Sequence, residues 1–406
     1  MADLRPFKAI LPKKGLEDKI AALPYDVYNR EEATKIVKAN PLSFLCIDRA
    51  ETNFPDNVST YDECVYQKAE ELLSTMILEG QFVEESKQCY FLYRQTMDGR
   101  SQTGIVGCAS VDDYCNGIIK KHENTREEKE LDRIHHIDTC NAQTGPIFLA
   151  FRFEEELDKL INRILKTNPL FDFVSEDGIG HSVFRIDDET DIQTISNCFK
   201  RMNAIYIADG HHRCASAAKV SLKRRKEGLE QESDYFLSVL FPENQLKILD
   251  YNRVIKDYNN KSTDEILNEI KTHFDITLED NQVKPDKKGT FGMYMNNQWY
   301  RLTIKEEYCS SDPVEGLDVS LLQKYVLDDI LNIKDPKTDK RIDFVGGIRG
   351  LSELEKRVHE DCKIAFSMYP TSILELFNVA DAGMLMPPKS TWFEPKLRSG
   401  LFIHKI

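Results

Sequence analysis

The stretch Ala204–Lys219, AIYIADGHHRCASAAK, constrains this chain more than any other. Ala204, Ile205, Tyr206, Ile207 and Ala208 form a short apolar run, as a strand buried on both faces requires. Asp209 and Gly210 supply a turn. Ala215, Ala217, Ala218 and Val220 then favour a helix, with Gly228 as its stop after Lys223, Arg224, Arg225 and Lys226. A helix that opens just beyond a strand presents unpaired backbone N–H groups, which suit a phosphate. Gly210 lets the backbone come close to such a ligand, Arg213 is placed to hold phosphate oxygens bidentately, and His211 and His212 add donors. Asp209 is expected to act through a divalent metal or as a base. The two histidines are adjacent, about 100° apart on a helix, so they do not form an i, i+4 metal pair. A strand–Gly–helix turn is also common as plain structure, so the reading of a site needs a second stretch.

That second stretch is NGIIKKHENTREEKELDRIHHIDTCNAQTGPIFLAF. Gly117–Lys121 reads as a short strand. Thr125-Arg126-Glu127-Glu128 fits a capping box, so a helix is expected to start there and run to about Asn141. Thr144, Gly145 and Pro146 break it, and Ile147–Phe151 returns as a buried strand. Glu123 then falls in a strand-to-helix turn, a common place for an active carboxylate. The bland alternative is a charged, solvated helix face over Lys120–Arg133. The cluster His122, Glu123, Arg126, Arg133 and His136 favours a site.

The remaining chain reads as a continuous alternation of strands and helices. Strands are expected at Arg5–Leu11, Ser43–Arg49, His181–Ile186, Asp234–Pro242 and Lys247–Ile255, and helices at Arg30–Ala39, Thr60–Leu78, Glu154–Lys166, Thr190–Met202, Ser262–His273 and Val319–Leu331. Hairpins are expected around Asp98-Gly99 and Asn296-Asn297. DFVGGIRG, LSELEKRVHE and KIAFSMYP read as strand, helix, strand. The fold class is thus mixed α/β, in three regions with soft boundaries: an N-terminal α/β region over 1–111, a phosphate-binding core over 112–240, and a C-terminal α+β region over 241–406. The tail, MLMPPKSTWFEPKLRSGLFIHKI, carries Lys389, Ser390, Thr391, Trp392 and Lys396 in a segment stiffened by Pro387-Pro388. It is read either as a lid over the ligand or as a docked tail buried through Trp392 and Phe393.

Composition narrows the partners. A net charge of −14 argues against a surface built mainly to grip nucleic acid. The ten cysteines are scattered with no C-x-x-C pair, so free thiols in a reducing cytoplasm are expected rather than zinc or disulfides. MADLRPFKAILPKK is too charged for a signal peptide, and no segment approaches a membrane span.

The motifs RPFKA, PYDV (Pro24–Val27), YRQT, GRSQTGIVG, KKHENTREEKELDR, NAQTGP, ADGHHR and MPPKSTWFEPK together resemble the family known as domain of unknown function 1015, over nearly the whole chain. A shorter match, about Gly117–Lys219, resembles the ParB/sulfiredoxin-like superfamily, including the ADP-dependent free serine kinases. Those proteins run strand, His-Glu turn, helix, strand, then a strand ending in DGHHR or a close variant. The resemblance implies that Gly210, His211, His212 and Arg213 bind nucleotide phosphate and that Glu123 is the catalytic base. This chain departs by a long insertion between the GPIFL and ADGHHR strands and by whole N- and C-terminal regions.

Phosphoryl transfer needs charge neutralisation on the transferred group, a metal, and a base near the acceptor hydroxyl. Arg213 and the helix start fit the first need. Asp209 is the expected Mg²⁺ holder, directly or through water, and Glu123 the base. His122, Thr125, Arg126 and the tail residues Lys389, Ser390, Thr391, Trp392 and Lys396 are the expected substrate contacts. The expected activity is transfer between a nucleotide, ADP or ATP, and a small amino acid, serine or O-phosphoserine first. A phosphoserine phosphatase and a ParB-like nucleotide switch are the alternatives. A sulfiredoxin-like reductase would need a cysteine inside the turn, where His211 and His212 stand instead.

Overall fold

A computed structural model describes residues 1–226 and 229–406. Gly228, the expected helix stop, lies outside the described residues. The chain forms two compact units: Met1–Leu246 with Pro395–Ile406, and Lys247–Glu394. This division differs from the three expected regions. The boundary at 111/112 falls within a single sheet, and the last residues of the chain rejoin the first unit.

Unit 1 is built on a nine-stranded mixed sheet. Its strands are β1 (Leu4–Arg5), β2 (Tyr90–Met97), β3 (Arg100–Ser110), β4 (Ile119–Lys120), β5 (Ile147–Phe151), β6 (Phe171–Val174), β7 (Gly180–Ile186), β8 (Ile205–Asp209) and β9 (Tyr235–Pro242). The order is β4-β8-β5-β9-β3-β2-β7-β6, with β1 on β3. β4 runs parallel to β8, and β5 parallel to β9; the β8–β5 and β9–β3 pairs are antiparallel. Ile205, Tyr206, Ile207 and Ala208 are buried, as the apolar run requires. Its helices include α1 (Arg30–Ala39), α2 (Leu45–Asp48), α3 (Glu63–Leu78), α4 (Glu127–Cys140), α5 (Glu155–Ile164), α6 (Glu189–Arg201) and α7 (His211–Arg224). α7 buries Cys214, Ala215, Ser216, Ala217 and Ala218. Side chains this small let it lie close to α4, where Ser216 Oγ donates to the Glu130 carbonyl at 3.0 Å.

Three local expectations are corrected. Leu45–Asp48 is helical and fully buried, not a strand. A short apolar run reports burial but not conformation. The Thr125–Glu128 capping box does not form: α4 starts at Glu127 with Arg126 as an N-cap lacking a side-chain bond, and Thr125 Oγ1 donates to Glu130 instead. The helix expected at Val319–Leu331 is α-helical over Asp318–Leu322 and π-helical over Gln323–Asp328.

The closing segment belongs to the core of unit 1. Leu401, Phe402 and Ile403 are fully buried, and His404–Lys405 pairs with Ala142–Gln143. Ser399 bridges to Ala22 and Ile403 to Ile10. All ten cysteines are unpaired.

Unit 2 is a six-stranded antiparallel sheet of β10 (Tyr251–Ile255), β11 (Phe274–Glu279), β12 (Thr290–Met295), β13 (Gln298–Ile304), β14 (Ile342–Gly346) and β15 (Ile364–Ser367), ordered β11-β13-β12-β15-β10-β14. Its helices include α8 (Thr263–His273), capped by Ser262, together with α9 (Leu351–Glu360) and α10 (Ile373–Asp381). No helix among the described residues is long and apolar enough to cross a membrane.

Candidate active site

The site grows from the parallel pair β4 and β8, whose register sets Ile119 against Ile205 and Lys120 against Tyr206. Both chains therefore leave the sheet at the same edge. One continues into the turn carrying His122 and Glu123, the other into Asp209-Gly210 and the start of α7. A register shift between Ile207 and Asp209 in the β8–β5 ladder breaks the pairing just before the turn, and such bulges re-aim side chains. Gly210 has φ +94°, a left-handed conformation natural to glycine, and no side chain caps α7. The first turn of α7 contains no acidic residue, so no side chain of that turn offsets the positive end of the helix.

Arg213 lies folded back across this turn. A Cβ on Gly210 would stand 3.1 Å from its Nε, and one on Gly145 would stand 3.5 Å from its Nη1. Arg213 Nη1 donates to the Pro146 carbonyl at 2.6 Å. The guanidinium thus passes between two glycines, one from DGHHR and one from NAQTGP.

The histidines are neutral. Burial lowers the pKa of His122 to about 4, and burial with the neighbouring His122 holds His211 well below the usual range. Burial also lowers His212. His122 and His211 meet edge to face with centroids 4.4 Å apart. His212 Nε2 accepts the Arg126 backbone N–H at 3.0 Å, tying α7 to the start of α4. Glu123 is half-buried beside this pair, and one ligand atom each of His122, Glu123 and His211 lie within 4.8 Å of one another.

Asp209 departs from its expected role. Its carboxylate accepts the Gly210 N–H at 2.8 Å and pairs with Lys396 Nζ at 2.9 Å. Burial alone would raise its pKa, but Lys396 and Arg213 outweigh that and hold it well below the usual carboxylate range. In this structure the carboxylate is thus an ion-pair partner of Lys396. Lys396 is in turn fixed through its carbonyl, which accepts Gln95 Nε2 at 2.9 Å.

Beside Arg213 lies a small cavity of about 30 Å³. Tyr25, Asp48, Arg133, Thr144, Gly145 and Ser399 line it, among others. Arg133 is buried, pairs with Asp132 at 2.9 Å and lies 4.0 Å over the Tyr25 ring. Asp48 is buried and accepts Thr144 Oγ1 at 3.0 Å. Burial pushes the Tyr25 hydroxyl up to about 12 against the pull of Arg133 and Arg213. Sequence reasoning missed Tyr25 and Asp48 as site residues, although Tyr25 lies in the quoted PYDV motif.

Of the expected site residues, unit 1 brings together His122, Glu123, Thr125, Arg126, Asp209, Gly210, His211, His212, Arg213 and Lys396. Arg126 is exposed, and Thr125 is engaged with Glu130. Lys389, Ser390, Thr391 and Trp392 belong to unit 2. There Ser390 Oγ donates to the Pro387 carbonyl, Trp392 Nε1 donates to Glu394, and the Lys389 ammonium lies 5.5 Å over the Tyr251 ring. Cys214 is fully buried, and burial raises its thiol well above the usual range, so it is no thiolate nucleophile.

The fold and this turn define a mixed α/β protein with an uncapped helix start and a guanidinium at one sheet edge. The chain belongs to the family described as Protein of unknown function (DUF1015), whose model matches residues 4–320. No curated protein matches it. Among solved structures it is similar to a free serine kinase in complex with AMP, at 13% identity and TM-score 0.37, covering 71% of this chain and 86% of that one. It is similar to a conserved hypothetical protein from Pyrococcus furiosus at 15% identity and TM-score 0.35, covering 73% and 93%. SbnI with a C-terminal truncation, from Staphylococcus aureus, gives 11% identity and TM-score 0.37 over 71% and 82%.

Proposed function

We propose that unit 1 moves a phosphoryl group between a nucleotide, ADP or ATP, and the hydroxyl of a small amino acid, with serine and O-phosphoserine the first substrates to try. The observation that carries this reading is the parallel β4–β8 pair, which delivers Glu123 and the Asp209–Arg213 turn to one edge. Ligands of open α/β sheets bind beyond the carboxyl ends of such strands. In this reading the free N–H groups of α7 and the Arg213 guanidinium take the nucleotide phosphate. Glu123 accepts the proton of the attacking hydroxyl. Lys396, held by Asp209, adds positive charge beside the transferred group. Mg²⁺ carried on the nucleotide would neutralise phosphate charge.

The charges of the side chains around the cavity match a zwitterionic acceptor. Buried Asp48 offers a partner for an ammonium, and Arg133 and Arg213 offer partners for a carboxylate or phosphate. The test is to incubate the full chain with nucleotide and serine, and separately with O-phosphoserine, and follow phosphate by mass. Nucleotide-dependent transfer that Glu123→Gln removes, with nucleotide binding intact, is the expected result. Phosphate release from O-phosphoserine without a nucleotide would replace this reading with a phosphatase.

A further inference from the structure

Two groups of side chains among the described residues have metal-ligating composition and spacing. One is Glu154, Glu156 and Cys198. Its two carboxylates are already paired with Arg201, at 3.2 and 2.7 Å. The other is His122, Glu123 and His211, with one ligand atom from each inside a 4.8 Å span. It draws on two elements that the parallel β4–β8 register holds side by side.

A second observation points to a ligand at this cluster. His122 is 2% exposed, and its Nδ1 is buried with no hydrogen-bond partner among the described residues. Metal-binding histidines turn one ring nitrogen to the ion, and a buried ring nitrogen with no protein partner is suited to that role. A bare buried acceptor is costly, and a cation removes that cost. The contact from the His122 backbone N–H to His211 Nε2 is long, 3.4 Å.

We infer that His122, Glu123 and His211 form a binding site for one borderline divalent transition metal of the Zn²⁺ class. Two imidazoles and one carboxylate suit Zn²⁺, Co²⁺, Mn²⁺ or Fe²⁺ and leave coordination positions open. Mg²⁺ prefers oxygen ligands and retains its waters, so it is the weaker occupant. One carboxylate oxygen suffices for the metal, which leaves the other able to accept a proton. The inference goes beyond the phosphoryl-transfer reading and does not rest on it.

The test uses the full chain, stripped with a chelator and then titrated with Co²⁺, followed by visible d–d absorption, and with Zn²⁺, followed by calorimetry. One ion per chain is expected. His122→Gln and His211→Gln should each weaken Zn²⁺ by at least about 100-fold, the upper end of what even a supporting partner is worth. Glu156→Gln, in the other group, should leave Zn²⁺ affinity unchanged, with circular dichroism confirming that each variant is folded. No stoichiometric Co²⁺ or Zn²⁺ binding by the unaltered chain overturns the inference, whatever the variants do. So does retention of full affinity in a folded His122→Gln/His211→Gln chain. Nucleotide binding is read separately through Arg213→Ala, so failure of the metal site and failure of the phosphate site give different results.

Discussion

Arg213 shows how residue-scale sterics place a charge. Its guanidinium packs where Gly210 lacks a Cβ, with Gly145 at contact distance on the other side. Sequence alone pointed to Arg213 and to the permissive Gly210, but it could not show that Gly145, far away in the chain, forms the opposite wall. The same limit explains Asp209: a carboxylate in a turn suggests a metal, and the Lys396 ammonium that neutralises it comes from 187 positions away. His181 makes a separate prediction at this scale. It is fully buried, with Tyr93 Oη 2.8 Å from Nδ1 and Arg398 and Asp177 beside it. Burial first, and then Arg398, depresses its pKa to about 3 against a weaker pull from Asp177. The unfolded chain binds this proton near pH 6.5 and the folded chain does not, so stability rises with pH across that window. The contribution is present above pH 6.5 and is lost as pH falls towards 3. Urea midpoints should therefore fall steadily from pH 7 to pH 4.5; a flat profile over that range would contradict the buried neutral histidine.

At the scale of elements, the strand–turn–helix over Ile205–Arg224 was legible because three signals agree: an apolar run, Asp-Gly, and an alanine-rich helix. Leu45–Asp48 was misread because a run of seven residues fits a buried strand and a buried helix equally well, and only packing against α3 decides. Phe274–Glu279 and Ile373–Asp381 were missed altogether. Alternating exposed and half-buried positions give Phe274–Glu279 only a weak period-2 signal, with Phe274 its one fully buried residue. The prediction at this scale concerns Gly210. With φ +94°, alanine there costs about 1–2 kcal/mol of conformational strain, and its methyl pushes on the guanidinium. Gly210→Ala should lower the urea midpoint modestly and weaken nucleotide binding more than that loss of stability explains. Full nucleotide affinity in this variant would show that the turn geometry does not matter for the ligand.

Over the whole molecule, the chain leaves unit 1 at Leu246 and returns at Pro395, so that unit is completed only by the final residues. The sequence reading put the anchor of a docked tail at Trp392 and Phe393, which belong to unit 2; the segment that packs into unit 1 is Pro395–Ile406. Its apolar residues are core, whereas Lys389–Trp392 belong to the other unit. Each large apolar side chain removed from a core costs about 2–5 kcal/mol, and net stabilities are about 5–15 kcal/mol. Deleting Pro395–Ile406 takes away buried Leu397, Leu401, Phe402 and Ile403 together. The truncated chain should lose the cooperative unfolding of unit 1; an unchanged melting temperature would contradict the docked tail. The central claim, that the Asp209–Arg213 turn holds nucleotide phosphate, is tested most directly by calorimetric titration of ADP into the full chain and into Arg213→Ala. A charge-assisted contact of this kind is worth about 1.5–3 kcal/mol, so the variant should bind ADP about 10- to 100-fold more weakly, with its circular dichroism unchanged. Equal ADP affinity in a folded Arg213→Ala chain, or no ADP or ATP binding by the unaltered chain, would contradict the account.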